Sequence, residues 1–452
     1  MAYPLLNKLY YQDQSRYAQV YQDRFQSEDT VKLDFSIGDR QAFFVQTGDL
    51  WRRGFQILRL NGQVTALSSA LPPIARRQYS RKCLIDEIML TNRIEGVHSS
   101  RKEIDDALDT LERQSAKRGK RQRFVSVVNQ YLKLSSGERI SLDSCRDVRD
   151  LYDELCLEEV VREDPHNAPD GELFRKDQTA VHNAAGKELH AGLYPESRLM
   201  GGMERALNFL NDPEVEELWR VCLFHYLLEY IHPFYDGNGR LGRFILSDRL
   251  STLLDPLLAY RISGTIQENI SAYYKAFQTC NDPHALGDLT PFLFMLLDMI
   301  SAALKDLRDS LEQKQTRWTR YENLVAQLPE GKDPAVHAVY SVLIQAALFS
   351  EKGISTAELE HGFQCSYHIV KKRLGQVRPD LLQSSQKGRA KYYQIDLNAL
   401  DNMLLAQALK GQAEEPTSST PCACLSSTAQ GDFQPFRWQR VRRNATKVPL
   451  FL

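Results

Sequence analysis

Between Ile231 and Phe244 the chain reads IHPFYDGNGRLGRF, and the residue types in this run suit the handling of a phosphate chain. Gly237 and Gly239 let the backbone curl so that successive N–H groups converge on one point, a nest for an anion. A Gly-Asn-Gly turn that enters a helix adds that helix's free N–H groups and positive dipole end, so Gly237, Asn238 and Gly239 together form a phosphate cradle. Arg240 and Arg243 stand three apart on one helical face, where both guanidiniums reach the outer phosphates of a nucleotide. Asp236, just before the nest, is a hard oxygen donor suited to a magnesium ion bridging phosphates. His232 stands at the opposite end of the loop as the candidate general base. A lone histidine before proline reads as a loop residue satisfied by the backbone; the spacing of the whole set is what argues for chemistry.

The elements that must position this loop are helices. Residues 214–231 (EVEELWRVCLFHYLLEYI) have apolar positions nearly all round, which suggests a buried helix, and Pro233 forces it to end just before. A second helix begins near Asn238. Upstream, residues 79–96 have apolar positions at helical spacing with Gly96 as a stop, and further helices are expected at 100–113, 124–134 and 144–162. TAVHNAAGKELHAGLYP (179–195) reads as a β-hairpin on this helical body. After the loop, helices are expected over 267–280 and 290–312. In residues 1–75 the pattern is mixed, with one or two short strands in VKLDFSIGDRQAFFVQTGDL.

The polar stretch 313–336 reads as a linker. Residues 337–400 then follow the order helix, helix capped by Ser355, turn, helix, strand pair, which is the layout of a winged helix-turn-helix. Residues 411–452 turn to Glu, Pro, Ser, Thr and Ala, a disordered tail. The expected fold is therefore mainly α: a helical core over 76–312 with a small hairpin flap, plus the winged unit. Across residues 366–393, Lys371, Lys372, Arg373, Arg378, Lys387, Arg389 and Lys391 face Asp380 alone, an excess that suits a phosphate backbone, while protein docking stays equally open. The run KRGKRQR (117–123) reads as a solvated loop, with a nucleic-acid contact as the alternative.

Composition sets the limits. The chain has 452 residues with 57 Lys+Arg against 58 Asp+Glu, a formal charge of −1 that excludes a protein coating nucleic acid over its whole surface. No apolar run approaches a bilayer span and the first residues lack a signal-peptide layout, so a cytoplasmic location without membrane attachment is expected. Eight cysteines without a CxxC pair argue against a disulfide scaffold or zinc ribbon.

The loop fits HxFx(D/E)GNGRxxR and so resembles the Fic (filamentation induced by cAMP) family, over roughly Arg77 to Arg308. That resemblance implies a helical core that transfers AMP from ATP, with Mg²⁺, to a Ser, Thr or Tyr hydroxyl of a protein, the chain itself being one candidate. His232 would deprotonate the hydroxyl, Asp236 would hold the metal, Gly237, Asn238 and Gly239 would cradle the phosphates, and Arg240 and Arg243 would neutralise the leaving group. Phe234 would pin the loop. By the same resemblance Tyr273 and Asn281 would contact the adenine, with core packing as the plainer reading of Tyr273. GELFRK (171–176) would open a target-binding flap whose docking residues fall near 189–194. TNRIEG (91–96) is the chain's only fit to (S/T)xxxE(G/N), the family's inhibitory motif on a helix spanning 84–96, so Glu95 would pair with Arg243 and misplace ATP. Two alternatives stand beside the transferase: removal of AMP by the same site, or a nucleotide-sensing, DNA-binding regulator. Target, donor nucleotide and oligomeric state stay open.

Overall fold

The computed structural model describes residues 3–112, 123–136, 139–182, 188–387 and 390–413. The expected tail beyond 413, and all of the 117–123 basic run except Arg123, lie outside the described residues. Arg123 itself is paired with Glu159 at 2.6 Å.

The chain opens with α1 (Leu6–Gln12) and α2 (Gln14–Phe25), the latter capped by the Asp13 carboxylate. A hairpin follows, β1 (Thr30–Ile37) with β2 (Arg40–Val45), where the alternating pattern placed strands. The rest of the N-terminal region is helical: α3 (Gly48–Ser69) and α4 (Pro73–Ile94). The stretch expected as a helix from 84 to 96 is the second half of α4. It starts earlier because Pro73 occupies the first helical turn, where its missing N–H costs nothing. Next come α5 (Arg101–Glu112), α6 (Val125–Ser136) and α7 (Cys145–Tyr152), then one π turn (Asp153–Leu157) running into α8 (Glu158–Glu163). The flap is β3 (Ala180–His182) paired antiparallel with β4 (Glu188–Ala191).

The centre is built from α9 (Glu196–Leu210), α10 (Glu217–Ile231) and α11 (Asn238–Leu253). Both α10 and α11 are buried on nearly every side. They are enclosed by α12 (Ile262–Glu268), α13 (Ile270–Asn281) and α14 (Thr290–Ala326). The long α14 corrects the expected linker at 313–336: residues 313–326 continue the helix, because Leu311, Tyr321, Leu324 and Val325 keep a buried stripe at helical spacing through the polar text.

Beyond it come α15 (Pro334–Phe349), β5 (Ile354–Ser355), α16 (Thr356–Phe363), α17 (Tyr367–Leu374), β6 (Leu382–Lys387) and β7 (Ala390–Ile395), with strands in the order β5-β7-β6, and then α18 (Leu397–Ala413). Ser355 and Glu358 form a reciprocal capping box at the start of α16. Of the basic set here, Arg378 pairs with Asp380, Arg373 lies over Phe363, and Lys371 and Lys372 are exposed. Tyr392 is buried against this sheet. All six cysteines among the described residues are free, and no described helix is long and apolar enough to cross a membrane.

Candidate active site

The loop between α10 and α11 is held from behind. Its Phe234 ring is fully buried, stacked on Tyr152 at 3.5 Å between centroids and met edge-on by Phe174. The Tyr152 hydroxyl donates to the Asp236 carbonyl at 3.1 Å. Asn238 spends its side chain on the loop itself: Nδ2 donates to the Phe234 carbonyl and Oδ1 accepts the Phe234 N–H, at 2.9 and 3.0 Å. Only its backbone N–H is left to face a ligand. Gly237 is at φ +84°, and a Cβ there would touch Cys156 and Tyr152 at 3.1 and 3.2 Å, so backbone geometry and space both require glycine. The first-turn N–H groups of α11 have no intrahelical acceptor and open toward the cavity.

The catalytic candidate sits where α10 is forced to stop. His232 is at φ 52°, ψ 65°, left-handed, a conformation that turns the chain toward Pro233. Arg175, almost wholly buried, locks this corner. Its Nε donates to the His232 carbonyl at 2.8 Å, and its terminal nitrogens donate to the carbonyls of Asp177 and Leu193 on the two sides of the flap. Burial pushes the His232 pKa down to about 4, with His190 and Arg175 adding to the effect, so the ring is neutral at physiological pH. Nδ1 makes no well-formed hydrogen bond, yet the Glu229 carbonyl lies close enough to favour a proton there. That tautomer leaves Nε2 as the free base.

At the other end of the cavity Glu95 ends α4. Gly96 at φ +74° sends its N–H to the Arg93 carbonyl and Val97 sends its own to Asn92, a Schellman closure that fixes where the Glu95 side chain leaves the helix. Its Oε1 accepts from Arg243 at 2.6 Å. Arg243 also donates from Nε to the Thr91 hydroxyl at 2.9 Å and from its terminal nitrogen to the Thr91 carbonyl at 3.2 Å. Burial alone would lower the Arg243 pKa; the Glu95 carboxylate leads the opposing effects, and with Tyr273 and Glu229 adding to it the pKa ends above its ordinary value. A Cβ on Gly239 would run into the Glu95 carboxylate, so that carboxylate lies directly over the phosphate nest.

One cavity joins these groups. Glu95, His232, Asp236, Gly237, Asn238, Gly239, Arg243, Tyr273 and Asn281 all line it, with a volume of about 150 Å³. Arg240 does not line it: the guanidinium is buried behind Gly237, 3.9 Å from Asp236 Oδ2, with Nε and one terminal nitrogen unpartnered. Asp236 has room for a hard cation, since Oδ1 is taken by the Gly237 N–H while Oδ2 has no hydrogen-bonded partner. At the far end the Tyr273 hydroxyl is tied to His225 Nε2 at 2.7 Å, and Asn281 accepts from the Tyr226 hydroxyl through Oδ1, which leaves its Nδ2 unused.

Sequence reading missed Glu229. It lines the cavity beside Arg243, its Oε1 has no partner, and burial aided by Glu95 pushes its pKa up to about 8. The signal was there: an acid in the last turns of a mostly apolar helix, three residues before the loop histidine. Tyr274, 41% exposed, was also passed over in favour of its neighbour.

Residues 143–248, which include the whole loop, match the family model described as Fic/DOC family. The chain carries a Fic domain. Its Fic region is similar to proteins named protein adenylyltransferase Fic, at 29% identity over 135 residues for that of Drosophila melanogaster and 30% for that of Drosophila yakuba. These matches cover 30% of this chain and span a quarter of the length of those relatives. Among solved structures, a Fic family protein from Desulfovibrio desulfuricans aligns over 77% of this chain and 96% of its own, at 19% identity and a TM-score of 0.47. Fic-1 from C. elegans aligns over 58% of this chain and 74% of its own, at 19% identity and a TM-score of 0.38.

Proposed function

We propose that the chain is a protein adenylyltransferase held inactive by its own Glu95. In the transfer step a target hydroxyl oxygen forms a bond to the α-phosphorus of ATP, the bond from that phosphorus to the bridging oxygen of the β-phosphate breaks, and pyrophosphate leaves. The hydroxyl proton passes to Nε2 of His232, which is neutral and lines the cavity together with His190 of the flap. Asp236 would hold Mg²⁺ through its free oxygen, the ion's remaining positions falling to phosphate and water, and the metal would offset charge on the phosphates. The N–H groups of the α11 first turn, with Arg243, stabilise the charge that develops on the leaving group, while Arg240 backs the Gly237 turn from behind.

The observation that carries the reading is the Glu95–Arg243 contact over Gly239. It supports inhibition twice over: the arginine that would take the terminal phosphate is occupied, and the cavity of 150 Å³ is smaller than the roughly 300 Å³ at the low end for small-molecule sites. Removing the carboxylate frees both.

The test is incubation with α-labelled ATP and Mg²⁺. Glu95→Gly is expected to label itself or a lysate protein well above wild type, and His232→Ala in that background to label nothing. No labelling by Glu95→Gly would sink the transferase reading. Because Glu95 and His232 share one cavity, loss of AMP from a modified target that requires Glu95 would instead favour hydrolytic removal of AMP by the same site. Retention on duplex DNA without turnover would favour the regulator, through the exposed Lys371 and Lys372 of α17.

A further inference from the structure

At the far end of α11 lies a second charged cavity. Arg249 follows Gly239 by ten residues, about 15 Å along the helix axis, so this site is separate from the phosphate nest. Arg249 is only 2% exposed, yet among the described residues its guanidinium donates no hydrogen bond, and Nε and one terminal nitrogen are sealed without a partner. The nearest carboxylate, Asp248 Oδ2, is 3.7 Å away, beyond hydrogen-bond reach. Asp248 makes no hydrogen bond through either oxygen; burial pushes its pKa up to about 6, so at neutral pH it is mostly ionised and offsets Arg249 by charge without occupying the guanidinium donors. A desolvated guanidinium with its donors idle is costly, and an anion in the fork removes that cost.

Arg249 lines a cavity of about 490 Å³, within the range of small-molecule sites. Two more arginines line it. Arg220 gives one terminal nitrogen to the Leu210 carbonyl at 2.8 Å and keeps a buried, unpartnered Nε, while Arg139 pairs with Glu217 at 3.1 Å. Three guanidiniums thus meet three carboxylates, Asp143 and Glu217 in the lining and Asp248 beside Arg249. With no positive charge in excess, the cluster suits a singly charged head group better than a phosphate dianion, which the acids would repel. A planar carboxylate also matches the fork of Arg249 in shape.

We propose that this cavity is a binding site for a small organic acid, whose carboxylate is held by Arg249 and Arg220. The site owes nothing to the transferase reading, and binding is measured without turnover. The full chain would be titrated with sodium succinate and with inorganic phosphate by calorimetry, and its thermal unfolding followed against sodium chloride at matched ionic strength. Succinate is expected to bind saturably and raise the unfolding temperature. Arg249→Met is expected to weaken it at least about tenfold, the value of one lost charge-assisted contact. Should Arg249→Met not fold, Arg220→Gln, on the half-buried rim, is expected to weaken binding several-fold. Tighter binding of phosphate than of succinate would overturn the carboxylate assignment. Absence of saturable heat up to about 20 mM of either probe, or binding unchanged in the foldable variants, would overturn the site.

Discussion

The middle and the C-terminal end of α4 are held by opposite devices. Near its middle, Lys82 and Arg101 share Glu351, and Lys352 reaches Asp105 and Asp109, which Arg81 also grips. Most of these groups are partly exposed. At the C-terminal end a single carboxylate, Glu95, meets a single buried guanidinium, Arg243. A distributed, water-facing network fixes a helix in place with no partner decisive, because each pair is screened and replaceable. A lone desolvated pair behaves differently, since loss of one member strands the other's charge inside. The first arrangement suits an anchor, the second a latch.

The sharpest break of this contrast is Glu95→Gly. It leaves Arg243 with Thr91 as its one hydrogen-bonded partner, and is expected to cost about 3 kcal/mol of stability by urea unfolding, at the lower end for breaking a buried pair because Glu95 is itself about a quarter exposed. Stability is lost in the same variant that gains transfer. Unchanged stability would mean that Glu95 is a rim contact and no latch.

How much of this was readable beforehand follows the same division. The Glu95–Arg243 contact was legible because it is local chemistry: Thr91 and Glu95 are spaced one helical turn apart, and the loop's glycines mark the turn that brings Arg243 to them. The hairpin and the order of helices were legible from periodicity. What the text could not convey was three-dimensional: that Asn238 closes its own loop, that Arg240 lies behind Gly237 and not in the cavity, and that Tyr274 presents the exposed ring. The 313–326 stretch misled for a related reason, because polar residues on the outer face of a long helix look like a linker until the buried stripe beneath them is seen.

Glu229 offers a sharper measurement on the latch side. Removing Glu95 takes away a repelling carboxylate and frees Arg243, and both changes favour ionised Glu229, so its pKa should fall below about 8 in Glu95→Gly. Ionised, it competes with the triphosphate for Arg243. Transfer by Glu95→Gly is therefore expected to decline on an alkaline limb, about tenfold for each pH unit past that pKa, and Glu229→Gln in the same background should remove the limb. The acid limb lies near pH 4, set by His232, and stays in both. In wild type the linked stability has the sign of a raised acid: native Glu229 holds its proton more tightly than the unfolded chain does. That contribution is full below pH 4.5 and is lost as pH rises toward about 8. A flat alkaline profile in Glu95→Gly would detach Glu229 from the latch.

The smallest effect belongs to the anchor. Glu351→Ala deletes two ion pairs at once, to Lys82 at 3.3 Å and to Arg101 at 2.6 Å. The three side chains are between about a third and two-fifths exposed, and Lys82 and Arg101 each keep Asp86 as a second partner. The expected cost is under about 1 kcal/mol, shrinking further in 0.5 M salt, with the Glu95 contact and transfer activity untouched. A loss comparable to that of Glu95→Gly, or release of transfer activity by Glu351→Ala, would show that the middle of α4 is strained against its end. The network would then be part of the latch.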